Sequence, residues 1–93
     1  MIAIPRPERT YVYVLESQKD GWLYVGRTRD LMGRFYLHSA DLMAPTKYRG
    51  PFRLAYFQAC TSTNEAERES GRLRRNGLSR DTLEAFQRQR HLI

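Results

Sequence analysis

Residues 11–38 read YVYVLESQKDGWLYVGRTRDLMGRFYLH. Tyr11 to Leu15 is an unbroken run of β-branched and aromatic residues, which predicts a strand. Glu16 to Gly21 is polar and closes on Asp20-Gly21, the composition of a hairpin loop. Trp22 to Thr28 predicts a second strand. In a symmetric hairpin Tyr13 stands opposite Tyr24. Side chains alternate along a strand, so both phenols then project from one face. Asp30 suits a helix N-cap, with Leu31, Phe35 and Leu42 as the apolar stripe behind it. Arg34 lies three residues past Leu31, and His38 four past Arg34. Both are expected at the edge of the buried face, stacked one turn apart. One short unit thus carries two phenols, a guanidinium and an imidazole, groups that suit work on a phosphodiester.

Outward from this unit, Met1 to Arg9 reads as an irregular lead-in with two prolines and mixed charge. Pro45 ends or follows the first helix. Thr46 to Pro51 reads as a loop carrying Lys47, Tyr48, Arg49 and Gly50. Phe52 to Cys60 predicts a third strand, with Phe52, Leu54 and Tyr56 alternating against Arg53. Thr61, Ser62, Thr63 and Asn64 are candidate N-caps for a helix from about Glu65 to Arg75, and Asn76-Gly77 terminates it. Ser79 can cap a last helix through about Arg88, with Leu83 and Phe86 inward. The expected class is α/β of the α+β type. A small three-stranded antiparallel sheet is flanked by three helices in the order β-β-α-β-α-α, since short connections favour that solution. Residues 1–93 are expected to form one domain.

Composition narrows the function classes. Sixteen Lys and Arg oppose ten Asp and Glu, a formal charge of +6. Fourteen of the sixteen are arginines, with Lys19 and Lys47 the two lysines. Arginine forks onto phosphate oxygens, and a basic surface speeds encounter with polyanions in a salt-dependent way. Cys60 is the single cysteine, so no intramolecular disulfide and no cysteine-rich metal site can form. That usage fits a reducing, cytoplasmic setting. No apolar run approaches the length of a membrane span, and the N-terminus has no signal-peptide core.

The residues resemble the GIY-YIG nuclease superfamily. Tyr11-Val12-Tyr13 stands where that family has Gly-Ile-Tyr, and Tyr24-Val25-Gly26 where it has Tyr-Ile-Gly. The stretch YVGRTRDLMGRFYLH looks like the family's second strand and following helix, with Arg34 at its active-site arginine. TKYRGPFRLAYFQA is similar to the third-strand region of the small stand-alone bacterial members. The likeness spans about residues 10 to 77. Two departures stand out. Tyr11 replaces the first glycine. In the second helix, the family's metal-binding glutamate falls at Ser70 when counted from Ala66 and back from Leu73, with Glu69 as its neighbour.

The resemblance implies a DNA endonuclease, structure- or damage-directed, with a role in DNA repair. It implies one Mg²⁺ or Mn²⁺ held by a carboxylate, here Glu69, the ion keeping most of its waters. It implies a tyrosine base, Tyr13 or Tyr24, and Arg34 on the phosphate. A phenol needs a neighbouring cation to lower its pKa, and Arg27 and Arg34 are at hand. His38 is a candidate for proton transfer or phosphate contact. Arg27 and Arg29 are expected to line the same face. Lys47, Tyr48 and Arg49 mix charge with an aromatic ring, as nucleic-acid contacts often do. The alternative is a non-catalytic nucleic-acid-binding module that kept this fold and lost the metal-binding carboxylate. A homodimer or a partner protein fits either reading.

Overall fold

A computed structural model of the chain describes residues 9–75. Three strands, β1 (Thr10–Ser17), β2 (Leu23–Thr28) and β3 (Phe52–Cys60), form one antiparallel sheet in the order β2-β1-β3. Two helices, α1 (Leu31–Ser39) and α2 (Thr63–Arg75), and a short 3-10 turn at Ala44–Thr46 complete the described fold. The observed order is β-β-α-β-α; the third helix expected from Ser79 lies outside the described residues, as does the Asn76-Gly77 stop.

β1 is buried along its whole length because it is the central strand and both its faces are covered. Alternation divides its side chains between two cores. Val12 and Val14 pack with Val25, Ala55, Tyr56, Cys60 and the α2 residues Ala66 and Leu73. Tyr11, Tyr13 and Leu15 pack on the other face with Phe52, Trp22, Tyr24 and the α1 residues Leu31 and Phe35. Each buried Val or Leu of this kind contributes about 1.5–3 kcal/mol relative to exposure. The consequence for function is a separation: α1 and the tyrosines share one face, and α2 covers the opposite one.

The hairpin register differs from the symmetric expectation. Tyr13 pairs with Gly26, and Tyr24 pairs with Leu15. β1 runs on to Ser17, and the turn closes with the Ser17 amide on the Trp22 carbonyl at 2.8 Å and Gly21 at φ 78°. A two-residue shift preserves parity, so both phenols still emerge on the α1 face as diagonal neighbours. β3 carries a second surprise. Its pairing with β1 slips between Val14 and Leu15, so that Val14 faces Tyr56 and Leu15 faces Leu54. Ala55 is the extra residue of a bulge, and it reverses the alternation. Phe52 and Leu54 therefore sit in the α1-side core, whereas Tyr56 sits in the α2-side core.

Helix α1 starts where Asp30 accepts the Gly33 amide at 3.0 Å. It ends at Ser39, and Asp41 follows at φ 61°. The expected stripe is thereby cut short, and Leu42 is exposed. Helix α2 is capped by Ser62, whose hydroxyl accepts the Glu65 amide at 3.0 Å, while the Glu65 carboxylate takes the Thr61 amide at 2.6 Å. No described helix is long and apolar enough to cross a membrane.

Candidate functional site

The site lies on the α1 face. Gly26 makes room for it: a Cβ there would collide with the hydroxyl and ring of Tyr13. The Tyr13 ring thus lies across the backbone of β2 where only glycine fits. Its hydroxyl reaches His38 Nε2 at 2.8 Å, and His38 Nδ1 lies 2.6 Å from Thr46 Oγ1. The Thr46 hydroxyl donates to the Met43 carbonyl at 3.4 Å. Thr46 therefore accepts from Nδ1–H, and that leaves Nε2 to accept the Tyr13 proton. This assignment follows from the hydrogen-bond network.

His38 and Thr46 have no solvent exposure and Tyr13 has 2 %. His38 was expected at the edge of the buried face; it lies inside it, under the Ala44–Thr46 turn. Burial holds its pKa below the ordinary value, and the positive charge of Arg34 acts in the same direction. Burial pushes the Tyr13 phenol up to about 12, with the Tyr24 phenol adding to the rise. Arg34 opposes it by charge and hydrogen bonding. At neutral pH both groups are uncharged, with the proton on Tyr13.

Arg34 is half-buried, and among the described residues no carboxylate pairs with it. Tyr24 is partly exposed and packs on both neighbours, its ring 6.5 Å from Tyr13 and 5.3 Å from His38. Trp22 continues this row, 6.0 Å from Tyr24, and the Arg49 guanidinium stacks 4.1 Å above the Trp22 ring. The structure thus brings Tyr13, Tyr24, Arg34 and His38 together and attaches Arg49 through Trp22. Thr46, Gly26 and Trp22 were not among the residues singled out from sequence. Gly26 was in view as part of a motif. Nothing in the sequence ties Thr46 to His38.

Other expected residues are elsewhere. Arg27 does not share the tyrosine face. It alternates with Gly26, points to the α2 side with Val25, and lies 3.5 Å from Glu67. Arg29 is exposed between β2 and the Asp30 cap. Lys47 and Tyr48 stand in the loop after the 3-10 turn, the Lys47 ammonium 5.2 Å over the Tyr48 ring. Glu69 is on α2, its carboxylate 2.6 Å from the Arg72 guanidinium. Ser70 is buried on the α2 stripe, its hydroxyl donating to the Glu67 carbonyl at 3.1 Å.

These residues do not fit the divalent ion that the resemblance implies. The carboxylate offered for it is engaged by Arg72, and its helix covers the face opposite Tyr13. The position expected for the ligand carries a hydroxyl tied to the backbone.

The described residues form an α+β fold, a three-stranded antiparallel sheet with Tyr13 and Tyr24 on one face and Arg34 on the helix that covers it. Residues 9–78 match the GIY-YIG catalytic domain, and the chain belongs to the GIY-YIG family. It is similar to the UPF0213 protein BH0048 of Halalkalibacterium halodurans, with 46% identity over 59 residues that cover 62% of this chain and 62% of that protein. A UPF0213 protein of Streptococcus agalactiae, SAG0778, is 41% identical over 69 residues, 73% of each chain. The solution NMR structure of BH0048 superimposes with a TM-score of 0.50 at 37% identity, covering 84% of this chain and 81% of that one.

Proposed function

We propose that this protein is an endonuclease that cleaves DNA phosphodiesters at the Tyr13–His38–Arg34 centre, directed by DNA structure or damage. The observation that carries the reading is the buried Tyr13–His38–Thr46 hydrogen-bond relay beside a half-buried arginine that no described carboxylate neutralises. A relay of this kind can take up a proton: His38, kept neutral by burial, accepts at Nε2 and is an imidazolium for the duration of the step, its Nδ1–H still held by Thr46. Tyr13 takes the proton of an attacking water while its own passes to His38 Nε2. The bond from the water oxygen to phosphorus forms, the bond to the leaving oxygen breaks, and the leaving oxygen takes a proton from solvent or from Tyr24. Arg34 is a fixed positive charge for the phosphoryl oxygens, an electrostatic contribution preorganised before reaction. Tyr24, the more accessible phenol, stands next to both partners.

A second reading is favoured by the Glu69–Arg72 pair and by Ser70. On that reading the chain is a nucleic-acid-binding module with the nuclease fold and no cleavage. One assay separates the two. Nicked, branched and damaged DNA are incubated with the protein in Mg²⁺, in Mn²⁺ and in chelator. Cleavage that disappears in Tyr13→Phe and Arg34→Ala supports the nuclease. Salt-sensitive binding without cleavage in any of the three conditions establishes the binding module. A formal charge of +6 leads to affinity that falls steeply with salt.

A further inference from the structure

The segments Trp22 and Lys47–Arg49 form a second feature beside the relay. Tyr48 is 72% exposed, an unusual setting for a large aromatic ring. Its backbone lies at φ 68°, the left-handed region, where a side chain costs roughly 1–2 kcal/mol. Hydrogen bonds hold it there. The Tyr48 amide donates to Asp41 Oδ1 at 3.1 Å, and Lys19 Nζ donates to the Tyr48 carbonyl at 3.2 Å. Ser17 Oγ donates to the Arg49 carbonyl at 2.7 Å, which ties the loop to the hairpin. A strained backbone held by its surroundings to present an exposed ring is a mark of a binding device.

Each ring in this region has a cation on it, Lys47 on Tyr48 and Arg49 on Trp22. Rings with adjacent cations suit a nucleobase with its flanking phosphates, the combination that binds single strands. The row Trp22, Tyr24, His38, Tyr13 leads from this loop to the relay. Bases inside a duplex are stacked on one another and offer no face to a protein ring. We propose that Tyr48 and Trp22, with Lys47 and Arg49, form a stacking site for an unpaired nucleobase. DNA then meets the Tyr13 centre through a single-stranded or flipped-out nucleotide. The proposal rests on the phosphodiester-directed reading above and specifies the form of DNA that it takes.

The test uses the full chain and a fluorescein-labelled oligodeoxynucleotide, offered as single strand, as blunt duplex and as a duplex with an unpaired bulge. Anisotropy gives affinity, and Trp22, the one tryptophan of the chain, reports stacking by its own fluorescence. The expected result is tighter binding of the single strand and bulge than of the duplex, with Trp22 quenched by those two. Tyr48→Ala should weaken single-strand binding about tenfold and duplex binding by much less. Tyr48→Gly, which accepts the positive φ freely, should lose as much, and Tyr48→Phe should lose little. Equal affinity for duplex and single strand, with Tyr48→Ala silent, would overturn the stacking site and leave the phosphodiester reading standing. Failure to bind any of the three DNAs would overturn both.

Discussion

The Tyr13 hydroxyl and His38 Nε2 meet at 2.8 Å although 25 residues separate them in the chain. One comes from the central strand and the other from near the end of α1, and both are buried. Tyr13→Phe keeps the ring against Gly26 and removes only the proton donor. It leaves Nε2 buried without a partner, which should lower stability by about 1–3 kcal/mol in a denaturant titration. Cleavage should fall by roughly 10²-fold or more, the scale of a lost proton-transfer group. A Tyr13→Phe protein that cleaves at the wild-type rate would take the relay out of the chemistry.

The same pair gives two pH limits. His38 has its pKa lowered in the folded state, so below the ordinary imidazole range the unfolded chain binds the extra proton first. Stability is full above about pH 6.5 and is lost as pH falls toward the lowered folded value. Cleavage should share this acid limb, because a protonated His38 cannot accept from Tyr13. Tyr13 is raised to about 12, so its contribution is full below about pH 10 and is lost as pH rises toward 12. Thermal melts across pH, with phenolate absorbance at the alkaline end, read both limbs. Flat stability through both ranges would contradict the burial of these groups.

Arg34 pulls the pKa values of Tyr13 and His38 down together. Arg34→Ala should therefore raise both, a shift visible for His38 in an NMR titration of its ring protons. The fold should persist, since the side chain is only half-buried. Cleavage should drop on the order of a hundredfold or more. A His38 titration that does not move would mean that Arg34 is not close in solution.

Gly26→Ala tests the close packing of Tyr13 on β2. The added methyl collides with the Tyr13 ring, so the ring or the strand must shift. Overpacking of this kind typically costs about 1–3 kcal/mol. The shift should also break the Tyr13–His38 bond, with cleavage falling alongside stability. A variant with wild-type stability and activity would show that the ring has room to move.

Glu69→Gln bears on the metal. The Glu69–Arg72 pair is partly exposed, with 46% and 23% exposure of the Arg72 and Glu69 side chains, and such pairs contribute about 0–1 kcal/mol. The substitution should be nearly silent in stability, DNA binding and cleavage alike. Loss of Mg²⁺-dependent cleavage with binding retained would show that Glu69 leaves Arg72 to hold the ion.

The sequence by itself determined the three strands and two helices of the described residues. β-Branched and aromatic runs, Asp20-Gly21, the Asp30 cap and the Thr61–Asn64 cluster of candidate caps are local signals, and each placed a strand, turn or helix start. Parity along the strands also put Tyr13 and Tyr24 on one face, and that survived a two-residue register shift because only parity matters. Tertiary structure decided what depends on register and on layers. The bulge at Ala55 sent Tyr56 to the face opposite Phe52. The early end of α1 exposed Leu42 and let the Ala44–Thr46 turn close over His38. Packing of α2 on the valine face set Arg27, Glu67 and Glu69 apart from the tyrosines. No local pattern encodes these outcomes, because a side chain's neighbours across a sheet are set by which layer covers each face.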